Sequence, residues 1–269
     1  MKRYALAALA TTMLLGAGAA HADDALKAAI AAKSRTPANV ERDVYRHPYE
    51  TLSFFGIKPT MTVVELAPGG GWYTEILAPY LRDNGKLITA GNDLASPSEG
   101  ERKGAERFMA RLNAKPEVYN KVALGVFSPP RKYELAPPNS VDMVLTFRNI
   151  HNWIPIGPDK LKELFGSVYT ALKPGGVFGV EEHRLPASKT QDATASTGYM
   201  HEKYVISMAE AAGFKLAAKS EVNANPKDTA DHKNGVWALP PTYTNKDEDR
   251  AKYQAIGESD RMTLKFVKP

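Results

Sequence analysis

The stretch Val63 to Leu81, VVELAPGGGWYTEILAPYL, decides the fold expected for this chain. It opens with an apolar run that ends on Glu65, passes through three successive glycines, and resumes with apolar residues at helical spacing. The pattern predicts a strand, a glycine-rich turn and a helix. Glycines let the backbone take positive φ and approach a ligand closely, while the first N–H groups of the helix face the same point. A cofactor loop, a dinucleotide loop and a purely structural turn all fit this pattern.

Composition limits the class of protein. The chain has 269 residues, of which 43% are hydrophobic and 24% charged, which suits one globular domain with a sizeable core. It has no cysteine, so disulfides and thiolate metal sites are excluded. The formal net charge is +5 without a basic cluster, so we expect no nucleic-acid partner. The oligomeric state does not follow from these features.

The first 22 residues read as a cleavable signal peptide. Lys2 and Arg3 precede the apolar run Tyr4 to Gly18, and Ala20-His21-Ala22 has the small-x-small form of a signal peptidase site. The apolar run is short for a membrane span, so we expect no stable membrane insertion after cleavage. The predicted location is the bacterial periplasm, with a mature chain that begins at Asp23.

Residues 23–61 are predicted to form an N-terminal helical arm. The segment 25–33 is alanine-rich and helix-prone, and Pro37-Ala38-Asn39 interrupts it. Polar and aromatic residues, from Arg42 to Tyr49, then crowd into a short stretch that we expect to be either a lid over a cleft or an ordinary surface helix.

Two further strands end in polar residues. Val141 to Phe147 reads as a buried strand, followed by RNIHNW, and the strand Val177 to Val180 is followed by EEHR. In an open α/β sheet, ligands sit beyond the carboxyl ends of the strands, which is where both groups fall. Two other segments are predicted to carry no chemistry. Ala105, Phe108, Met109 and Leu112 mark the core face of a helix, and the proline-rich residues 129–138 form a loop.

The glycine stretch resembles the first motif of class I S-adenosylmethionine-dependent methyltransferases, an acidic residue followed by Gly-x-Gly-x-Gly. Ala67 replaces the first glycine, while Gly69 and Gly71 match the second and third. The turn LKPGG, residues 172–176, is frequent between the fourth helix and fifth strand of that class. The order of PGGGWYTEILAPYL, FRNIHNW, EEHR, GYMHEKY, AAGF, NPKD and SDRMTLKFVKP resembles exported bacterial predicted methyltransferases over nearly the whole mature chain.

This resemblance implies a Rossmann-like α/β domain over residues 62–269, with a seven-stranded, mostly parallel sheet whose last strand is antiparallel. It implies S-adenosylmethionine as cofactor, held at the methionine end by the glycine turn. Asp93, or Asn92, would hold the ribose, although this carboxylate comes later than in the family pattern. Phe127 and Ser128 would face the adenine. The implied cofactor-binding residues are Glu65, Ala67, Pro68, Gly69, Gly70, Gly71, Asn92, Asp93, Phe127, Ser128, Arg148 and Asn149.

The expected function is methyl transfer to a small acceptor. Histidine titrates near neutral pH, so His151 or His183 is the candidate base, with Glu181 or Glu182 orienting one ring. A metal held by His151, Glu182 and His183 is a weaker alternative, and no metal is predicted. Because the methyl donor is made in the cytosol, an exported protein of this fold is alternatively a non-catalytic binder of an adenosine-like small ligand.

Overall fold

The computed structural model describes residues 23–269, and the predicted signal peptide, 1–22, lies outside the described residues. The N-terminal arm consists of four short helices joined by tight turns. They are α1 (23–30), α2 (Pro37–Val40), α3 (Asp43–Arg46) and α4 (Pro48–Phe55). Gly56, at φ +82°, ends α4 in the left-handed conformation that glycine adopts without steric cost.

The domain that follows is built on one sheet with eight strands among the described residues. They are β1 (Thr62–Leu66), β2 (Lys86–Gly91), β3 (Ala123–Ser128), β4 (Lys132–Glu134), β5 (Val141–Phe147), β6 (Leu172–His183), β7 (Lys215–Ser220) and β8 (Arg261–Val267). Their order is β4-β3-β2-β1-β5-β6-β8-β7. The five strands β3, β2, β1, β5 and β6 are mutually parallel, and β8 is antiparallel to both β6 and β7. The predicted Rossmann-like fold with an antiparallel last strand is confirmed.

Helices connect the strands and cover both faces of the sheet. They are α5 (Thr74–Leu81), α6 (Glu99–Asn113), α7 (Pro116–Tyr119), α8 (Ile150–Trp153), α9 (Pro158–Ala171), α10 (Glu202–Ala211) and α11 (Arg250–Ile256), with 3-10 turns at Ile154–Ile156 and Gly235–Ala238. Side chains alternate along each strand, so Val64 and Leu66 enter the core on one face while Val63 packs on the other.

The additional strand, β4, corrects the predicted count of seven strands. Residues 129–138 were expected to be loop, but Lys132–Glu134 pairs antiparallel with the end of β3 as a short edge strand. Three residues are too few for a visible alternation of polar and apolar side chains, and the flanking prolines hide the pairing in the sequence. The predicted strand Val177–Val180 is also longer, because β6 already begins at Leu172, within the expected turn.

The order in which the strands are connected creates a crevice at the carboxyl edge of the sheet, beside β1. From β1 the chain moves outward through β2 to β3, and then crosses to β5 on the other side of β1. A crevice opens at such a reversal, outside the carboxyl ends of the strands. Among the described residues, no helix is both long and apolar enough to span a bilayer.

Candidate active site

A cleft runs along the carboxyl edge of β1, β2 and β5, and the glycine turn divides it into two lobes. Lobe 1, of about 310 Å³, lies between the turn, the end of β2, helix α6 and β3. Lobe 2, of about 380 Å³, lies between the turn, the residues after β5 and β6, the N-terminal arm and the segment 236–242. Both lobes are lined by Ala67, Pro68, Gly69 and Asn149.

The turn has the backbone geometry that its sequence predicts. Ala67, Gly69 and Gly71 have φ of +47°, +56° and +76°. Ala67 is held in this conformation by its N–H bond to the Ala90 carbonyl at 2.8 Å and by the Asn149 side-chain amide, which donates to its carbonyl at 3.4 Å. A Cβ added at Gly69 or Gly71 would meet no neighbour closer than 3.4 Å. Substitution there is therefore opposed by the positive φ and not by a clash within the turn.

Glu65 lies behind the turn and lines neither lobe. It is 2% exposed, and Thr74 Oγ1, in the first turn of α5, donates to its Oε2 at 2.6 Å. Burial raises the pKa of Glu65 to about 7, although this hydrogen bond and the charge of Arg148 act in the opposite direction. Glu65 supports the turn through Thr74 and lines a small cavity of about 30 Å³ that shares Trp72 and Arg148 with lobe 2.

The ends of β2 and α6 supply most of lobe 1. Asn92 and Asp93 line it as predicted, and Asp93 also contacts Lys132 Nζ at 3.4 Å. The helix side chains Phe108 and Met109, predicted to be core, are only partly buried and line this lobe instead. Leu94 and Leu124, half exposed, add apolar surface that sequence reasoning missed.

The two predicted adenine contacts lie outside both lobes. Phe127 is 2% exposed and packs edge-on against Trp153 in the core, with ring centroids 4.9 Å apart. Ser128 is also buried, and its hydroxyl donates to Glu101 Oε2 at 2.6 Å. Neither residue lines the cleft, since the residues of β3 that line lobe 1 are Leu124, Gly125 and Val126.

The two candidate histidines meet in lobe 2, as predicted from their strands. Because β5 and β6 are parallel neighbours, His151 and His183 emerge side by side, with ring centroids 5.3 Å apart. His151 is 5% exposed, and its Nδ1 lies 2.9 Å from Glu182 Oε1. Because a carboxylate accepts hydrogen bonds and does not donate them, Glu182 places the proton of the neutral imidazole on Nδ1 of His151, so that Nε2 is the acceptor nitrogen.

His183 has a different environment. Its Nδ1 lies 2.5 Å from Ser259 Oγ. Burial, followed by the positive field of His151, Arg148, Arg261 and Arg46, holds the pKa of His183 well below its usual range. His183 is therefore neutral at pH 7 and a weak base.

The histidines and Glu182 are also the one group among the described residues with metal-ligand potential. Ligand atoms of His151, Glu182 and His183 lie within 4.8 Å of one another. The carboxylate oxygens, however, already accept from the backbone N–H of His151 at 3.2 Å and of His183 at 2.8 Å, besides the ring of His151. This bonding favours a hydrogen-bonded His151–Glu182 pair over a metal centre.

Four arginines form a layer beside lobe 2 with two buried glutamates, and we call Arg42, Arg46, Arg148 and Arg261 the arginine wall. Three of these arginines, all except Arg261, line the lobe itself. Arg148, predicted as a cofactor contact, adopts φ +60° and donates to Glu181 Oε1 at 2.7 Å, and Arg261 reaches the same oxygen at 3.1 Å. Glu181 therefore orients arginines and not a histidine. Glu258 accepts from Arg42 and Arg46, at 2.7 and 3.1 Å.

The predicted arm supplies part of this wall. Asn39, Arg42 and Arg46 line lobe 2, and the Asn39 carbonyl accepts from Trp72 Nε1 at 2.9 Å. Sequence reasoning missed the opposite wall, which contains Trp237, Pro240 and Pro241. An aromatic residue and two prolines in an otherwise polar stretch were the only available signal.

No protein-family model and no curated protein matches this chain at the level of sequence. Solved structures do match. A SAM-dependent methyltransferase from Aquifex aeolicus is 16% identical, with 92% of this chain and 98% of that chain covered and a TM-score of 0.55. The fold is that of class I methyltransferases.

Two other solved structures show how wide this fold group is. The glycopeptide N-methyltransferase MtfA, complexed with sinefungin, is 16% identical, with 82% of this chain and 84% of that chain covered and a TM-score of 0.50. The cyclase SpnF is 14% identical, with 94% and 95% covered and a TM-score of 0.56. At these identities the likeness establishes the fold alone, and the chemistry has to be argued from the site.

Glu258 offers a direct stability test of the arginine wall. Burial acts to raise its pKa, but Arg46, Arg261, Arg42 and Arg148 together lower it to about 2. A lowered carboxyl pKa stabilises the fold above the unfolded pKa of 4.5, and this stabilisation is lost as the pH falls toward 2. Glu258→Gln should therefore cost about 3 kcal/mol at pH 7, measured by urea unfolding, and the deficit should shrink below pH 4.5.

Glu248→Gln is the matched control for this prediction. Glu248 pairs with Lys233 at 2.8 Å on the exposed surface, where an ion pair contributes less than about 1 kcal/mol. Equal losses in the two variants, or a deficit at Glu258 that does not change with pH, would contradict the assignment.

Proposed function

We propose that this protein transfers a methyl group from S-adenosylmethionine to a small acceptor. The observation that carries the proposal is the position of the glycine turn, between a mostly apolar lobe and a lobe with histidines and arginines. A ligand that crosses the turn would keep its nucleoside in lobe 1 and present its sulfonium methyl group to lobe 2.

The lining of lobe 1 suits a nucleoside. Asp93 and Asn92 offer an acceptor and an amide to ribose hydroxyls, while Leu94, Leu124, Phe108 and Met109 give apolar surface for a planar base. The free space beside Gly69 and Gly70 leaves room for the methionine portion of the cofactor. SAM-dependent methyltransferases among the solved structures with this fold support the same cofactor.

The His151–Glu182 pair supplies the base. In methyl transfer, the acceptor lone pair forms a bond to the methyl carbon, the carbon–sulfur bond breaks, and its electron pair remains on sulfur. An acceptor hydroxyl or ammonium group must lose a proton, and Nε2 of His151 is the free acceptor for it in lobe 2. The protein otherwise contributes by positioning the two reactants.

A second candidate is binding of an adenosine-like small ligand without turnover. The cyclase SpnF supports this candidate, because a protein with a similar fold need not be a methyltransferase. Transfer of labelled methyl groups from S-adenosylmethionine to a periplasmic extract would support the enzyme. Saturable cofactor binding without transfer would support the binder.

The cofactor assignment is tested by calorimetric titration with S-adenosylmethionine and S-adenosylhomocysteine. We expect saturable binding by the wild type and at least a 10-fold weaker affinity for Gly69→Ala, because alanine at φ +56° strains the turn beside the ligand. Gly157→Ala is the matched control. Gly157 has φ +87° in open space outside the cleft, so its variant should lose stability and keep affinity. A folded wild type that binds neither compound at millimolar concentration would refute the cofactor.

The base assignment is tested by His151→Asn and His183→Asn. Since general base catalysis typically contributes about 100-fold to 10,000-fold in rate, the His151 variant should lose at least about 100-fold in turnover with normal cofactor binding. His183→Asn should lose less, because this ring is already neutral and bonded to Ser259. His47→Asn, at a left-handed residue that does not line the cleft, is the control. If His151→Asn retained turnover within a few-fold of wild type, His151 would not be the base.

We further propose that the protein acts in the periplasm after loss of residues 1–22. The order Lys2-Arg3, apolar run and Ala20-His21-Ala22 supports this. Mass spectrometry of the periplasmic protein should show a chain that begins at Asp23. Recovery of the full-length chain with Met1 from the cytosolic fraction would contradict export.

A further inference from the structure

The arginine wall of lobe 2 carries more positive charge than its carboxylates neutralise. Arg42, Arg46, Arg148 and Arg261 share two carboxylates, Glu181 and Glu258, through ion pairs of 2.7 to 3.2 Å. Glu182, the nearest further carboxylate, is occupied by His151 and two backbone N–H groups. Glu65 faces Thr74 behind the turn.

This charge is buried. Arg46 is 5% exposed, and burial, together with the neighbouring charges of Arg148, Arg42 and Arg261, lowers the pKa of Arg46 to about 9 despite Glu258. Both glutamates are already ionised, because the arginines outweigh the effect of burial and lower the pKa of each. No change in protonation of these carboxylates can therefore offset the surplus at neutral pH, whereas an additional anion would.

The arginines also have donors to spare. Arg46 bonds Glu258 through Nε, Arg42 does the same, and Arg148 uses Nη1 for Glu181. In the part of the chain that the structure describes, the Nη groups of Arg42 and Arg46 make no hydrogen bond. The side chains of Arg42, Arg46 and Arg148 all line lobe 2. Guanidinium groups bind planar oxyanions with paired N–H donors, so these free groups match a carboxylate or a phosphate.

The cofactor alone does not supply the missing charge. S-adenosylmethionine brings one carboxylate, but also an ammonium and a sulfonium, so its binding makes the cleft more positive overall. The guanidinium of Arg46 is in addition fixed over the Trp72 ring, 4.8 Å from its centroid, on the same lobe as His151. A second ligand group is needed in lobe 2.

We propose that the methyl acceptor is an anion, whose carboxylate or phosphate group binds Arg46 and Arg148 while its nucleophile faces His151. This inference rests on the proposed function and names the substrate class. Arg46 lies on the arm, Arg148 directly follows β5, and His151 comes three residues after Arg148. All three line lobe 2, so one small molecule there can contact the arginines and the histidine.

The test is calorimetric titration of the full chain, saturated with S-adenosylhomocysteine, with benzoate, inorganic phosphate and benzamide at constant ionic strength. We expect benzoate or phosphate to bind and benzamide, the uncharged counterpart of benzoate, not to bind. The two anions separate a carboxylate acceptor from a phosphate acceptor. Arg46→Gln should weaken anion binding by at least about 10-fold, the range of a lost charge-assisted hydrogen bond.

Arg35→Gln is the matched control. Arg35 is also buried and lies 5.2 Å from the Trp72 ring, but it is paired with Asp43 at 2.6 and 2.7 Å and does not line the cleft. It should leave anion affinity unchanged. If Arg46→Gln does not fold, Arg148→Gln and the benzoate–benzamide comparison on the wild type still decide the question.

Two results would overturn the inference. One is the absence of binding of either anion, with and without S-adenosylhomocysteine. The other is displacement of S-adenosylhomocysteine by the anion, which would assign the arginines to the carboxylate of the cofactor. Failure of the proposed function looks different. In that case S-adenosylhomocysteine itself does not bind, while the titration of the unliganded chain still reports on the arginine site.

Discussion

Two buried carboxylates hold this molecule together at its functional edge. Glu258 binds Arg42 and Arg46 of the arm as well as Arg261 of β8, and Glu181 in β6 binds Arg148 and Arg261. Segments more than 200 residues apart in the chain thus converge on one polar layer. Removing one partner from such a buried network leaves charge without compensation, which is why the arm is expected to depend on these residues for its position.

The same layer explains why the cleft is asymmetric. Lobe 1 is bounded by apolar side chains and by Asn92 and Asp93, whereas lobe 2 is bounded by cations and imidazoles. Burial, followed by the charges of His151 and of the arginines, holds the pKa of His183 well below its usual range. His151, in contrast, contacts the carboxylate of Glu182. Two rings 5.3 Å apart therefore have different electrostatic environments. The environment, and not the residue type, distinguishes the proposed base from the ring beside it.

The position of the cleft follows from the fold, whereas its chemical character follows from the side chains that line it. A parallel sheet with a reversal between β1 and β5 creates a crevice in any protein of this class. The glycine turn shapes that crevice for a ligand that must pass close to the backbone. Lobe 2, where the acceptor is proposed to bind, is bounded by Trp237, Pro240 and Pro241 and by the arm.

The sequence by itself determined the sheet, the turn and the strand ends that carry the site. Local patterns suffice there, because the positive φ of Gly69 and Gly71 and the burial of Val141–Phe147 depend on neighbouring residues and on side-chain period. Only the tertiary structure decided which side chains face the cleft. Phe127 on β3 and Phe108 on α6 are both aromatic residues, yet Phe127 packs in the core and Phe108 lines lobe 1. The difference arises because the neighbouring elements determine which side of a strand or helix is covered. The arginine wall was equally invisible in the sequence, since Arg42, Arg148 and Arg261 become neighbours only when the arm and β8 pack on the same sheet edge.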